Sequence, residues 1–183
     1  LFANAELGWK SMLFLTLTGR NDWDSALAGT KHESFFYPSV GMSAIISQMV
    51  QLPEFISYMK MRGSWASVGS AISPNIASRW RYEYNPASQS YSTVTYKFPE
   101  TFYPERTNSW EAGLTARFFD NALTLDVTFY QSNTRKQTFL RPITVGEGYS
   151  KEYVQTGNVR NRGLELSLGY NKTWGDFTWN SSL

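Results

Sequence analysis

The chain of 183 residues contains no cysteine. That excludes a disulfide framework and any thiolate metal site. Histidine occurs once, as His32, between Lys31 and Glu33. It reads as a solvated loop residue, so Ser/His/Asp hydrolysis, which needs a positioned imidazole, has no anchor and no enzyme is expected. Charge is scarce: Asp, Glu, Lys and Arg make up 17%, well under the usual quarter. A net charge of +2 is too small to imply a nucleic-acid partner, and Thr134-Arg135-Lys136 is a short basic cluster without interleaved aromatics. Long hydrophobic runs are missing as well. The longest uncharged stretch, Ser34 to Pro53, contains Pro38 and Pro53 and is interrupted by Ser39, Ser43, Ser47, Gln48 and Gln51, so no membrane helix is expected. No Gly-rich phosphate loop follows a strand, and Gly146-Glu147-Gly148 reads as loop punctuation.

What the chain does have is alternation, clearest from Thr107 to Phe139. Trp110, Ala112, Leu114, Ala116 and Phe118 alternate with Glu111, Gly113, Thr115 and Arg117. After the tight turn Phe119-Asp120-Asn121-Ala122, Leu123, Leu125, Val127 and Phe129 alternate with Thr124, Asp126, Thr128 and Tyr130. A period of two means strands with one apolar and one polar face. The arms are about nine residues long, enough to cross a bilayer at a tilt. The polar face carries charges that a dry core would not accept unpaired. One face therefore suits lipid and the other water.

The same pattern recurs along the chain. Leu1 to Trp9, a turn at Lys10-Ser11, and Leu13 to Arg20 form one hairpin. Phe35 to Ile46, Tyr58 to Gly69, Val159 to Tyr170 and the stretch from Phe177 after the Gly175-Asp176 turn are further strands. Ser47 to Ile56 reads as a short helical turn. The connections after Asp22, Gly69 and Lys136 are long and polar, and they alternate with the short ones. An up-and-down meander with short turns on one side and long loops on the other is the outer-membrane barrel layout. Trp9, Tyr58, Phe118, Phe119, Tyr170, Trp174, Phe177 and Trp179 flank the short turns. Trp23, Phe35, Phe36, Tyr37, Trp110, Tyr130 and Phe139 lie near the long loops. They predict two aromatic girdles.

Four segments in order, FFYPSVGMSA (Phe35 to Ala44), MKMRGSWASVG (Met59 to Gly69), ERTNSWEAGLTARFFDNALTLDVTFYQ (Glu105 to Gln131) and NVRNRGLELSLGY (Asn158 to Tyr170), together resemble the barrel of SusC/RagA-type TonB-dependent outer-membrane transporters. The resemblance implies an all-β fold. Residues 1–183 are then a single segment of an antiparallel up-and-down transmembrane β-barrel domain, about eight strands of a roughly 22-stranded barrel. It further implies the outer membrane of a Gram-negative bacterium, import of glycans or peptides, a SusD-like lipoprotein lid, and coupling to TonB through a plug. No plug, TonB-box region, terminal aromatic strand or signal peptide is visible, so an internal piece of a longer polypeptide is expected.

Site candidates are few. In the long connection from Ser70 to Arg106, Trp80, Tyr82, Tyr84, Tyr91 and Tyr96 offer flat amphipathic faces that hold a sugar or peptide, or else pack the loop on itself or against a lid. Asp22 and Asp24 form a D-x-D that holds Ca²⁺ or, without the rest of an EF-hand loop, merely caps a turn. No cofactor is expected. Glu6, Arg20, Lys60, Arg62, Glu111, Arg117, Asp126 and Glu165 fall on the polar faces, as a lumen meeting a plug or solute, or as a wet wall with local ion pairs. Two other readings fit the alternation: a passive porin-like barrel and a soluble β-sandwich carbohydrate-binding module.

Overall fold

Residues that alternate in polarity and are rich in Leu, Val, Thr and aromatics extend into strands. The computed structural model describes residues 1–27, 33–70, 82–93, 96–99, 103–144, 148–149 and 151–183. Its strands are β1 (Phe2–Trp9), β2 (Leu13–Trp23), β3 (Ser34–Ile45), β4 (Ile56–Ser70), β5 (Tyr82–Asn85), β6 (Ser90–Thr93), β7 (Tyr96–Lys97), β8 (Glu105–Phe118), β9 (Leu123–Arg135), β10 (Thr138–Pro142), β11 (Lys151–Gln155), β12 (Asn158–Trp174) and β13 (Phe177–Ser182). One helical turn, α1 (Ile46–Met49), lies between β3 and β4 where the loss of period two predicts it.

Eight strands form one sheet in the order β1-β2-β3-β4-β8-β9-β12-β13, every neighbouring pair antiparallel. Passing over the short loop strands, each pairs with its predecessor, which makes a meander. Register aligns Leu7, Leu15, Met42, Gly63, Ala112, Phe129 and Leu164 in one row. One residue along lies the row Glu6, Thr16, Gly41, Ser64, Glu111, Tyr130 and Gly163. Because side chains alternate across a sheet, the first row faces one way and the second the other. All eight charged residues expected on the polar side share that second face.

The apolar face is uncovered. Leu164 is 68% exposed and Leu166 63%, and Leu7, Met42 and Met61 are likewise open. Among the described residues the buried hydrophobics are Leu27, Ala116, Ala122 and Tyr153. A contiguous apolar surface of this extent marks contact with lipid or another protein layer. One sheet carrying both faces is not the two packed layers of a sandwich, and the β-sandwich alternative fails on that ground.

The short connections sit together at one end. The first has three residues rather than two: Lys10 and Ser11 are left-handed (φ 49° and 56°), and the Met12 N–H donates to the Trp9 carbonyl at 3.0 Å. Phe119, Asp120 and Asn121 are also left-handed (φ 54°, 55°, 66°), and the Ala122 N–H closes the turn on the Phe119 carbonyl at 3.0 Å. Gly175 (φ 59°) opens the two-residue turn between β12 and β13.

At the opposite end the long loops carry structure of their own, which the polar, irregular sequence does not announce. β10, β11 and β7 make a small sheet, and β5 pairs with β6. Leu27 and Tyr153 form a buried nucleus with Phe35, Tyr96 and Phe98 packed on it, so all three long connections meet. The girdle expectation needs a correction here. Phe35, Tyr37 and Tyr130 stand opposite Asp22, Arg20 and Glu111, and Tyr58 stands opposite Arg117, so these four rings face the polar side. Their neighbours Phe36 and Trp110 keep the apolar side.

Candidate functional site

The polar face has one dense cluster, built across three strands. Arg62 on β4 is paired with Gly113 on β8, which is paired with Thr128 on β9. The Arg62 side chain lies over Gly113: a Cβ there would come within 2.7 Å of its Cζ and Nε. Glycine at 113 is what lets the guanidinium cross β8. It then grips Asp126 with two parallel bonds, Nη2 to Oδ1 at 2.9 Å and Nη1 to Oδ2 at 3.1 Å. Such forked pairs are among the stronger hydrogen bonds in proteins.

Two threonines complete the cage. Thr115 Oγ1 accepts from Arg62 Nη1 at 3.0 Å and donates to Asp126 Oδ2 at 2.6 Å. Thr128 Oγ1 accepts from Nη2 at 2.6 Å and donates to Asp126 Oδ1 at 3.3 Å. Glu111 Oε1 stands 3.7 Å from Arg62 Nε. Arg62 and Asp126 thus cancel each other, and Glu111 and Glu165 remain beside a depression of about 520 Å³ also lined by Ser64, Ser109, Tyr130 and Ser132. Hydroxyls and carboxylates here can hydrogen-bond a solute or a neighbouring segment. Sequence reasoning names Arg62 and Asp126 separately. Their union across Gly113 needs the register.

The loop candidates divide. Tyr84 stands opposite Tyr91 in the β5–β6 hairpin with ring centres 5.2 Å apart. Tyr82, two residues along, shares their face, and all three are exposed. Tyr96 is half-buried instead, edge-on to Tyr153 at 5.8 Å, with Lys151 Nζ 5.9 Å from its ring. Trp80 and His32 lie outside the described residues. Asp22 is held by Arg20, whose Nε donates to Oδ1 at 2.8 Å. Asp24 shapes the turn through its backbone: its N–H donates to the Glu33 carbonyl and its own carbonyl accepts from the Leu27 N–H, both at 3.1 Å. Among the described residues no group of three or more His, Asp and Glu side chains is placed to hold a metal.

Comparison with known proteins agrees with this architecture. The chain is 26% identical over 190 residues to TonB-dependent receptor P3 of Formosa agariphila, covering 100% of this chain and 19% of that protein. The RagAB peptide importer in its open-open state superposes with a TM-score of 0.78 at 22% identity, over 99% of this chain and 21% of the other. Its closed-closed state gives 0.78 at 21% identity. The chain therefore spans about a fifth of the length of these relatives. The family model described as TonB dependent receptor-like, beta-barrel matches residues 1–183, and the chain belongs to that family.

Proposed function

We propose that the chain is part of the wall and outer loops of a TonB-dependent nutrient importer in the outer membrane of a Gram-negative bacterium. One observation carries the reading: a single sheet with an uncovered row of Leu7, Leu15, Met42, Phe129 and Leu164 on one side and Thr16, Ser64, Glu111 and Tyr130 on the other. A closed barrel in lipid needs that division, oil outside and water within. Short turns at one end and long loops at the other support it, since such barrels keep their short turns on the periplasmic side.

On this reading residues 1–183 are one segment of a roughly 22-stranded barrel domain. The remaining strands and a plug that engages TonB belong elsewhere in a longer polypeptide. The cargo is a glycan or peptide; RagAB is a peptide importer, which favours an oligomeric cargo. Tyr82, Tyr84 and Tyr91 are the loop residues best exposed to meet it, with Trp80 adjacent in sequence and Tyr96 supporting the lobe from beneath. A SusD-like lipoprotein covers the loop end. The segment contributes binding and containment, not catalysis.

The test uses the full-length parent protein in its own cells. Labelled oligosaccharides and labelled peptides should accumulate in a TonB-dependent way, and the protein should fractionate with the outer membrane. Uptake unchanged by loss of TonB would replace this reading with the passive porin-like barrel. Recovery in the soluble fraction would end both.

A further inference from the structure

The apolar face does not stop where its leucines stop. On β12 the positions continuing Leu168, Leu166 and Leu164 toward the long loops are Arg162 and Arg160. On β9 the series Leu125, Val127, Phe129 runs on to Arg135, and on β8 the series Leu114, Ala112, Trp110 runs on to Arg106. Register sets these side by side: Arg106 opposite Arg135, Asn133 opposite Arg160, Trp110 opposite Gln131, and Gln131 opposite Arg162. Four guanidinium groups thus occupy one face of three adjacent strands, within about 13 Å along the strands and about 10 Å across them.

All four are exposed. Arg106 Nε donates to Ser67 Oγ at 2.8 Å. Arg135, Arg160 and Arg162 have no ion-pair partner among the described residues. Like charges directly opposite each other on a sheet repel, so Arg106 against Arg135 favours an anion between them.

The height of the patch is set by its neighbours. Trp110 packs on Phe129 with ring centres 5.1 Å apart and stands opposite Trp65, and tryptophan collects at the membrane–water boundary. Counting from the row of Leu123 and Tyr170, strands tilted about 40° rise roughly 20 Å to the row of Arg162 and roughly 30 Å to that of Arg135, so an apolar band about 25 Å tall ends among the arginines.

The geometry points to a binding site for the phosphorylated headgroup of an outer-leaflet glycolipid of the lipid A class. Its phosphates lie among the four arginines and its acyl chains run down the column of Phe129, Leu164 and Leu166. That apolar column directly beneath the charge selects a lipid over a free anion or a nucleic acid. The inference rests on the reading of this sheet as outer-membrane barrel wall.

The experiment is native mass spectrometry of the full-length protein in detergent, with bisphosphorylated lipid A, fully dephosphorylated lipid A and phosphatidylethanolamine as probes. The wild type should retain the bisphosphorylated lipid selectively. A variant combining Arg135→Gln, Arg160→Gln and Arg162→Gln should bind it roughly 100-fold more weakly. Arg141→Gln, whose partner is Glu152 in the loop lobe, should match the wild type. Heat-modifiable gel migration checks that each barrel is folded, and Arg162→Gln alone serves if the triple variant is not. Unchanged retention in a folded variant overturns the proposal, as does equal retention of all three lipids. Displacement by millimolar inorganic phosphate would mark an adventitious anion site and overturn it too. Protein that fractionates outside the outer membrane sinks the barrel reading itself; protein that fractionates there without discriminating phosphates sinks only this inference.

Discussion

The two faces of the sheet treat arginine in opposite ways. On the polar face Arg62 is tied down, its guanidinium bonded to Asp126, Thr115 and Thr128 within 3.1 Å. On the apolar face Arg135, Arg160 and Arg162 stand beyond the leucines with no carboxylate partner among the described residues. The difference teaches where each charge finds its compensation. A lumen-side charge faces a narrow wet space, where cross-strand pairing is available and repulsion with neighbouring segments must be limited. A charge on the outer face at the boundary of the lipid has headgroups to meet instead.

The largest test of this contrast sets neighbouring residues on β9 against each other. Val127→Arg puts a charge into the apolar band close to its midplane and should cost roughly 2–4 kcal/mol. Asp126→Ala, one residue away, strips Arg62 of its forked partner in a place water can reach and should cost about 1–2 kcal/mol. Denaturant unfolding of the complete barrel in vesicles measures both; equal costs would mean the faces are misassigned.

Next come the arginines themselves. Arg62→Gln leaves Asp126 with its threonines alone and should cost about 1 kcal/mol. Arg160→Gln removes a side chain with no ion-pair partner among the described residues and should stay within about 0.5 kcal/mol. The same unfolding measurement, made in lipid free of phosphorylated glycolipid, separates them. If Arg160→Gln proves the costlier, that arginine has a protein partner and the contrast fails.

A finer comparison uses two glycines of the polar face. Gly113→Ala drives a methyl into the Arg62 guanidinium and should lose about 1 kcal/mol with the displaced fork. At Gly41 an added Cβ would meet nothing nearer than Thr16 Cβ at 3.9 Å, so Gly41→Ala should lie within about 0.5 kcal/mol of wild type. The smallest effect belongs to the loop lobe. Tyr84→Ala, on an exposed hairpin outside the barrel wall, should change barrel stability by less than about 0.5 kcal/mol, whereas cargo binding measured by calorimetry should weaken if the tyrosine face is a contact surface.

Much of the wall was legible from alternation alone. Trp110 to Phe118 and Leu123 to Phe129 announce their two faces because strand periodicity is local and survives without knowledge of partners. The same signal held the outward arginines in plain view: Arg162 and Arg160 keep step with Leu164, and Arg135 keeps step with Phe129. Yet Arg160 and Arg162 fall inside the Val159 to Tyr170 strand and Arg135 in the Thr134-Arg135-Lys136 cluster, and the alternation of a single strand does not say that the three come together. Girdle residues were harder. Tyr37 and Tyr130 lie at the right height but have the wrong parity, and height by itself says nothing about direction. The loop lobe was illegible, since β7, with two residues, gives no periodic signal and Leu27 finds Tyr153 across well over a hundred residues of chain.

By itself the sequence determined that the chain forms two-faced strands in a meander with short and long connections alternating, because side-chain parity and turn chemistry act over a few neighbouring residues. Tertiary structure alone decided that Arg62 crosses Gly113 to reach Asp126, and that arginines from β8, β9 and β12 gather on one outer patch. Those meetings depend on the register between strands far apart in the chain, where a slip of one residue would send every side chain to the other face.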